Sequence, residues 1–66
     1  MIKGISNFDL DIQKRVLEIY QNQMISFGGF VKGNELVEVF KKDGYVCVRF
    51  QNGDWYHYEL SLGTWF

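Results

Sequence analysis

Cys47 and His57 are the two residues of this chain with catalytic potential, because an adjacent imidazole can turn a thiol into a nucleophilic thiolate. Such a pair also needs a group that orients the imidazole, an oxyanion site and a pocket for substrate. No Asn or Asp is expected beside His57, so Cys47 reads as a small apolar side chain packed next to a flat ring. No catalytic residue is assigned and the protein is expected not to be an enzyme. One Cys and one His exclude an internal disulfide, and they cannot complete a tetrahedral metal site within one chain. No metal ligand and no cofactor is expected.

A second constellation is Glu38, Arg49 and Trp55, which fall in one cross-strand row if the segment around them is a meander. Arg49 and Trp55 are expected to form a cation–π pair, with Glu38 holding the guanidinium from its other side. Trp, Tyr and Arg are also the residue types that dominate binding hot spots.

The elements that must position these groups lie between Glu35 and Leu62, where aromatic and β-branched residues are interrupted by Asp43-Gly44 and Asn52-Gly53. Both dipeptides are strong hairpin signals. A two-residue type I′ loop at Asp43-Gly44 pairs Val39 with Val48 and Val37 with Phe50, and sets Glu38 against Arg49 on the other face. One more residue in that loop would put Glu38 against Val48 in the core. For the second hairpin, a two-residue loop would bury Glu59 beside valine. A three-residue loop, Gln51-Asn52-Gly53 with Gly53 left-handed as a bulge, instead aligns Val46, Val48 and Phe50 with Tyr58, Tyr56 and Asp54.

The expected core face is thus Val37, Val39, Val46, Val48, Phe50, Tyr56, Tyr58 and Leu60, with both tyrosine hydroxyls reaching its rim. The opposite face carries Leu36, Glu38, Phe40, Lys42, Tyr45, Cys47, Arg49, Trp55, His57 and Glu59. An amphipathic helix precedes the sheet: Ser6 with Asp9 fits a loose capping box, and Phe8, Ile12, Val16, Ile19 and Tyr20 recur at helical spacing. Leu10, Leu17 and Met24 widen its apolar arc, and Asp11 with Arg15 makes an i,i+4 pair. Gly28-Gly29 ends it near Ser26.

The expected fold is therefore α+β, a single domain over 1–66: a helix about 7–25 packed on an antiparallel meander with strands about 35–42, 45–51 and 54–62. A fourth short strand is allowed from Phe30 to Gly33 or from either terminus. The chain has 66 residues, 47% hydrophobic and 18% aromatic, so it holds one core, and its aromatics are how so short a chain folds.

Seven basic and eight acidic residues are interleaved, giving a net charge of −1. A phosphate backbone is read by clustered Lys and Arg, so nucleic acid is disfavoured as a partner. No signal peptide or membrane-spanning run is present, and a cytoplasmic protein is expected. The partner-binding residues are expected to be Leu36, Glu38, Phe40, Tyr45, Arg49, Trp55 and His57, a contiguous apolar face of the kind that docks another protein. From its start at Met1 and its end inside a structural element, the chain reads as a complete small gene product. Its expected role is a protein-interaction module, an inhibitor or regulator of a larger host enzyme or nucleoprotein complex of the type phages and mobile elements encode. The alternatives are an obligate homodimer with a structural or regulatory role and a small single-strand nucleic-acid-binding domain.

Overall fold

A computed structural model describes residues 1–66. One helix, α1 (Leu10–Ser26), packs on a four-stranded antiparallel sheet of β1 (Leu36–Lys42), β2 (Tyr45–Phe50), β3 (Trp55–Glu59) and β4 (Thr64–Trp65) in the order β1-β2-β3-β4. The α+β architecture and the meander agree with the sequence reading. The fourth strand comes from the C-terminus. The segment from Phe30 to Gly33 forms no strand, and Gly33 instead accepts a backbone hydrogen bond from Asn52.

Both hairpins have the expected loops. Asp43 and Gly44 take positive φ values of 56° and 80°, as a type I′ turn requires, and Gly53 is left-handed at 95°. Val39 faces Val48, Val46 faces Tyr58 and Val48 faces Tyr56. The register departs from expectation at Val37, where a bulge sets Leu36 rather than Val37 opposite Phe50. The bulge reverses the side-chain alternation, so Leu36 packs against the core instead of lying on the outer face. The strand 54–62 is also shorter than expected. It ends at Glu59, because the carbonyl there accepts the Gly63 N–H and starts the turn into β4.

Helix α1 begins three residues later than the capping-box pattern suggests. Gly4, left-handed at φ 81°, starts a 3₁₀ turn at Ile5–Asn7 that takes up Ser6, and Asp9 becomes the N-cap residue without a side-chain cap bond. At the other end, Gly28 N–H bonds to Ile25 C=O and Gly29 N–H to Met24 C=O, the paired bonds of a Schellman motif. The helix buries Val16, Ile19, Gln23 and Met24, while Leu10 and Leu17 face solvent, so its apolar stripe is narrower than the sequence implied. Arg15 pairs with Glu18 at 3.5 Å rather than with Asp11, and its Nε donates to Leu60 O at 2.7 Å, tying the helix to the β3–β4 turn.

The core consists of Val16, Ile19, Met24, Val39, Val46, Val48, Phe50 and Tyr58, flanked by Ile2, Ile5, Phe8, Ile12 and Tyr20. Tyr58 does not reach the rim. It is 1% exposed, and its hydroxyl donates to Gln23 Oε1 inside the core. The N-terminal segment pairs with the free edge of β1 through one residue, Lys3, which forms a parallel bridge to Glu38. No helix is long and apolar enough to cross a membrane.

Candidate functional site

The face of the sheet opposite α1 carries a continuous cluster of rings. Antiparallel alternation directs Phe40 of β1, Tyr45 of β2, Trp55 and His57 of β3, and Phe66 just beyond β4 to this side. Phe66 is held there by a reciprocal pair of backbone bonds with His57, 2.9 and 3.0 Å. Its ring stacks on the imidazole with centroids 4.6 Å apart and planes within 4°. Tyr45 meets both rings edge-on, at 5.5 Å from His57 and 5.1 Å from Phe66. Trp55 lies 5.0 Å from His57 and 6.0 Å from Phe40, which completes the cluster.

Cys47, between Phe40 and His57 in the cross-strand row, is the smallest side chain on this face. Its short side chain lets the larger rings of β1 and β3 close over it, and the thiol is fully buried. Cys47 Sγ lies 3.7 Å from the carbonyl oxygens of Lys42 and Tyr45, and burial pushes its pKa up. A protonated thiol in that position is the opposite of an activated nucleophile.

Two carboxylates at the face, Glu38 and Asp43, have partners within it. Glu38 Oε1 accepts from Arg49 Nε at 3.1 Å, as the row predicted. The guanidinium lies over Phe40 at 5.0 Å, however, and Trp55 takes the Lys42 ammonium at 5.9 Å, so the expected Arg49–Trp55 stack is replaced by two cation–π contacts. His57 has an acidic partner that strand register alone does not reveal. Asp43, in the β1–β2 turn, places Oδ2 3.0 Å from His57 Nε2. Because an ionised carboxylate only accepts, Nε2 carries the proton. The contact holds the Asp43 carboxyl below its ordinary 3.8, chiefly through this hydrogen bond. No three His, Cys, Asp or Glu side chains converge as a metal site would require.

The structure therefore gathers Glu38, Phe40, Tyr45, Arg49, Trp55 and His57 from the expected set, removes Leu36, and adds Asp43 and Phe66. Phe66 was readable from Gly63-Thr64-Trp65-Phe66, a turn glycine followed by alternating positions that send Trp65 to the core and Phe66 outward. Compared with known proteins, the chain matches no family model, no curated sequence and no solved structure.

The Asp43 contact has a pH consequence. Its folded pKa is depressed, so the stabilisation it gives is complete above about pH 5 and is lost as pH falls past the ordinary 3.8 and through the folded value. Asp43→Asn keeps a residue that tolerates the left-handed turn while removing the charge. Urea midpoints measured from pH 5 down to pH 2 should fall less steeply for Asp43→Asn than for the parent chain. Parallel curves would mean that the contact gives no differential stabilisation.

Proposed function

We propose that this protein is a non-enzymatic interaction module that binds another protein through the ring-bearing face of its sheet. The observation that carries the reading is the continuity of Phe40, Tyr45, Trp55, His57 and Phe66 on a face that no other element covers. Phe66 is 59% and Trp55 38% exposed, so the cluster presents ring surface to solvent. Glu38 is paired with Arg49 and Asp43 is hydrogen-bonded to His57 within the face, so a partner need not satisfy these two carboxylates to cover it. Aromatic rings and arginine at the centre of a patch, with few free charges, match the composition of protein interfaces. The ring planes are largely turned against one another, which favours a protein surface over stacked bases. A regulator or inhibitor that occupies a larger protein is the role this arrangement suits.

The test is Phe40→Thr with Trp55→Thr, which keeps β propensity while removing both rings. The double variant should retain its circular dichroism and melting temperature within a few degrees. Its affinity for a protein captured by the parent chain should fall at least tenfold, about 1.4 kcal/mol. Unchanged capture by the folded variant would refute the reading. Light scattering supplies the control: a stable dimer that the two substitutions dissociate would assign the face to self-pairing.

A further inference from the structure

We propose that the open end of the β1 edge receives an extended acidic segment of another protein as an added strand. The site adjoins the ring cluster only at Phe40, and the proposal does not rest on the function assigned to that cluster. Its backbone part follows from the N-terminal segment. Lys3 N–H donates to Val37 C=O at 2.9 Å, and Val39 N–H donates to Lys3 C=O at 2.8 Å, so these β1 groups point away from β2. By the two-residue period of a strand, Lys41 directs its own N–H and C=O the same way. No chain reaches them, because Gly4 turns the segment off the edge. A Cβ at Gly4 would run into the Val39 carbonyl, and its φ of 81° suits only glycine, so this departure is built in. The pairing that Lys3 begins is thus left unfinished, which is the opening that strand addition uses.

An open cleft of about 430 Å³ lies along this stretch, lined by Lys3, Gly4, Asn7, Phe8, Glu38, Val39, Phe40 and Lys41, a volume in the range of ligand sites. Its charges select the occupant. Lys3 and Lys41 make no ion pair, and neither does neighbouring Lys42, whereas Glu38, the one acid in the lining, is held by Arg49. The unmatched charge is positive, and it lies beside the backbone N–H and C=O of Lys41, a donor and an acceptor that an added strand satisfies together. Phosphates would match the lysines but not the edge, so an acidic peptide fits better than a nucleic acid.

The probe is acetyl-Glu-Val-Glu-Val-Glu-Val-amide, titrated to about 1 mM and followed by amide NMR, with the lysine-for-glutamate peptide and oligothymidylate as comparators. The acidic peptide should shift the Lys3, Gly4 and Lys41 amides and slow exchange at Lys41 at least tenfold. Lys3→Glu with Lys41→Glu, both at exposed positions, should weaken it at least tenfold in a variant whose amide spectrum elsewhere matches the parent's. No shift at Lys41, or equal binding of the basic peptide, overturns the proposal. Displacement by oligothymidylate overturns it in favour of nucleic acid. Shifts confined to Trp55, His57 and Phe66 overturn it while supporting the ring face as the docking site.

Discussion

Phe50→Ala should remove most of the stability of this protein. Phe50 is 1% exposed and is packed between Tyr20, 5.8 Å away edge-on, and Tyr56, 5.4 Å away. Truncating a ring in such a site costs about 3–5 kcal/mol, from lost transfer energy and from the cavity left behind. A 66-residue chain has only roughly 3–10 kcal/mol in total. Urea unfolding followed by tryptophan fluorescence should therefore show a midpoint near zero denaturant for Phe50→Ala. Phe50→Leu, which refills much of the volume, should lose less than half as much. A cost below about 1 kcal/mol for Phe50→Ala would mean that the ring is not where the core is made.

The second large effect changes sign between single and double variants. Gln23 is fully buried, its Oε1 accepts from the Tyr58 hydroxyl, and its Nε2 has no partner. Tyr58→Phe strands the whole amide and should cost about 1–3 kcal/mol. Gln23→Met in the same background removes the last buried polar group, and should return stability to the parent value or above it. Double-mutant-cycle analysis of urea midpoints measures the coupling, and simple additivity of the two losses would refute the picture of an isolated polar pair. Burial also holds the Tyr58 phenol protonated far above its ordinary 10.0. Above pH 10 the unfolded chain ionises first and stability falls, and the Tyr58→Phe variant should lack that part of the fall.

Most of the sheet was legible because two constraints agreed at each hairpin. Asp43-Gly44 and Asn52-Gly53 each admit more than one loop length, and only one length at each keeps Glu38 or Glu59 out of the core. The same logic has no purchase at Leu36-Val37, where both residues are apolar and either can face inward, so the bulge was invisible. Helix α1 was legible from its spacing, but its start was not, since Ser6 and Asp9 are both good N-cap residues. The choice is made by Gly4 approaching the Val39 carbonyl, a contact distant in sequence. Of the candidate site, the cross-strand rows followed from register. The Asp43–His57 contact did not, because a turn residue belongs to no row.

All three strand pairs of the sheet join neighbours in the chain, and only an isolated bridge at the sheet edge departs from that pattern. Each hairpin then forms by closing a loop of a few residues, at little entropic cost, and folding of the meander should be fast. The exception is the bridge from Lys3 to β1, which spans the helix and the loop after it. It is therefore expected to form late and to open first. Native-state exchange should find the amides of Lys3 and Val39 released before those of β2, so that the edge of β1 is intermittently bare in a molecule whose core is still closed.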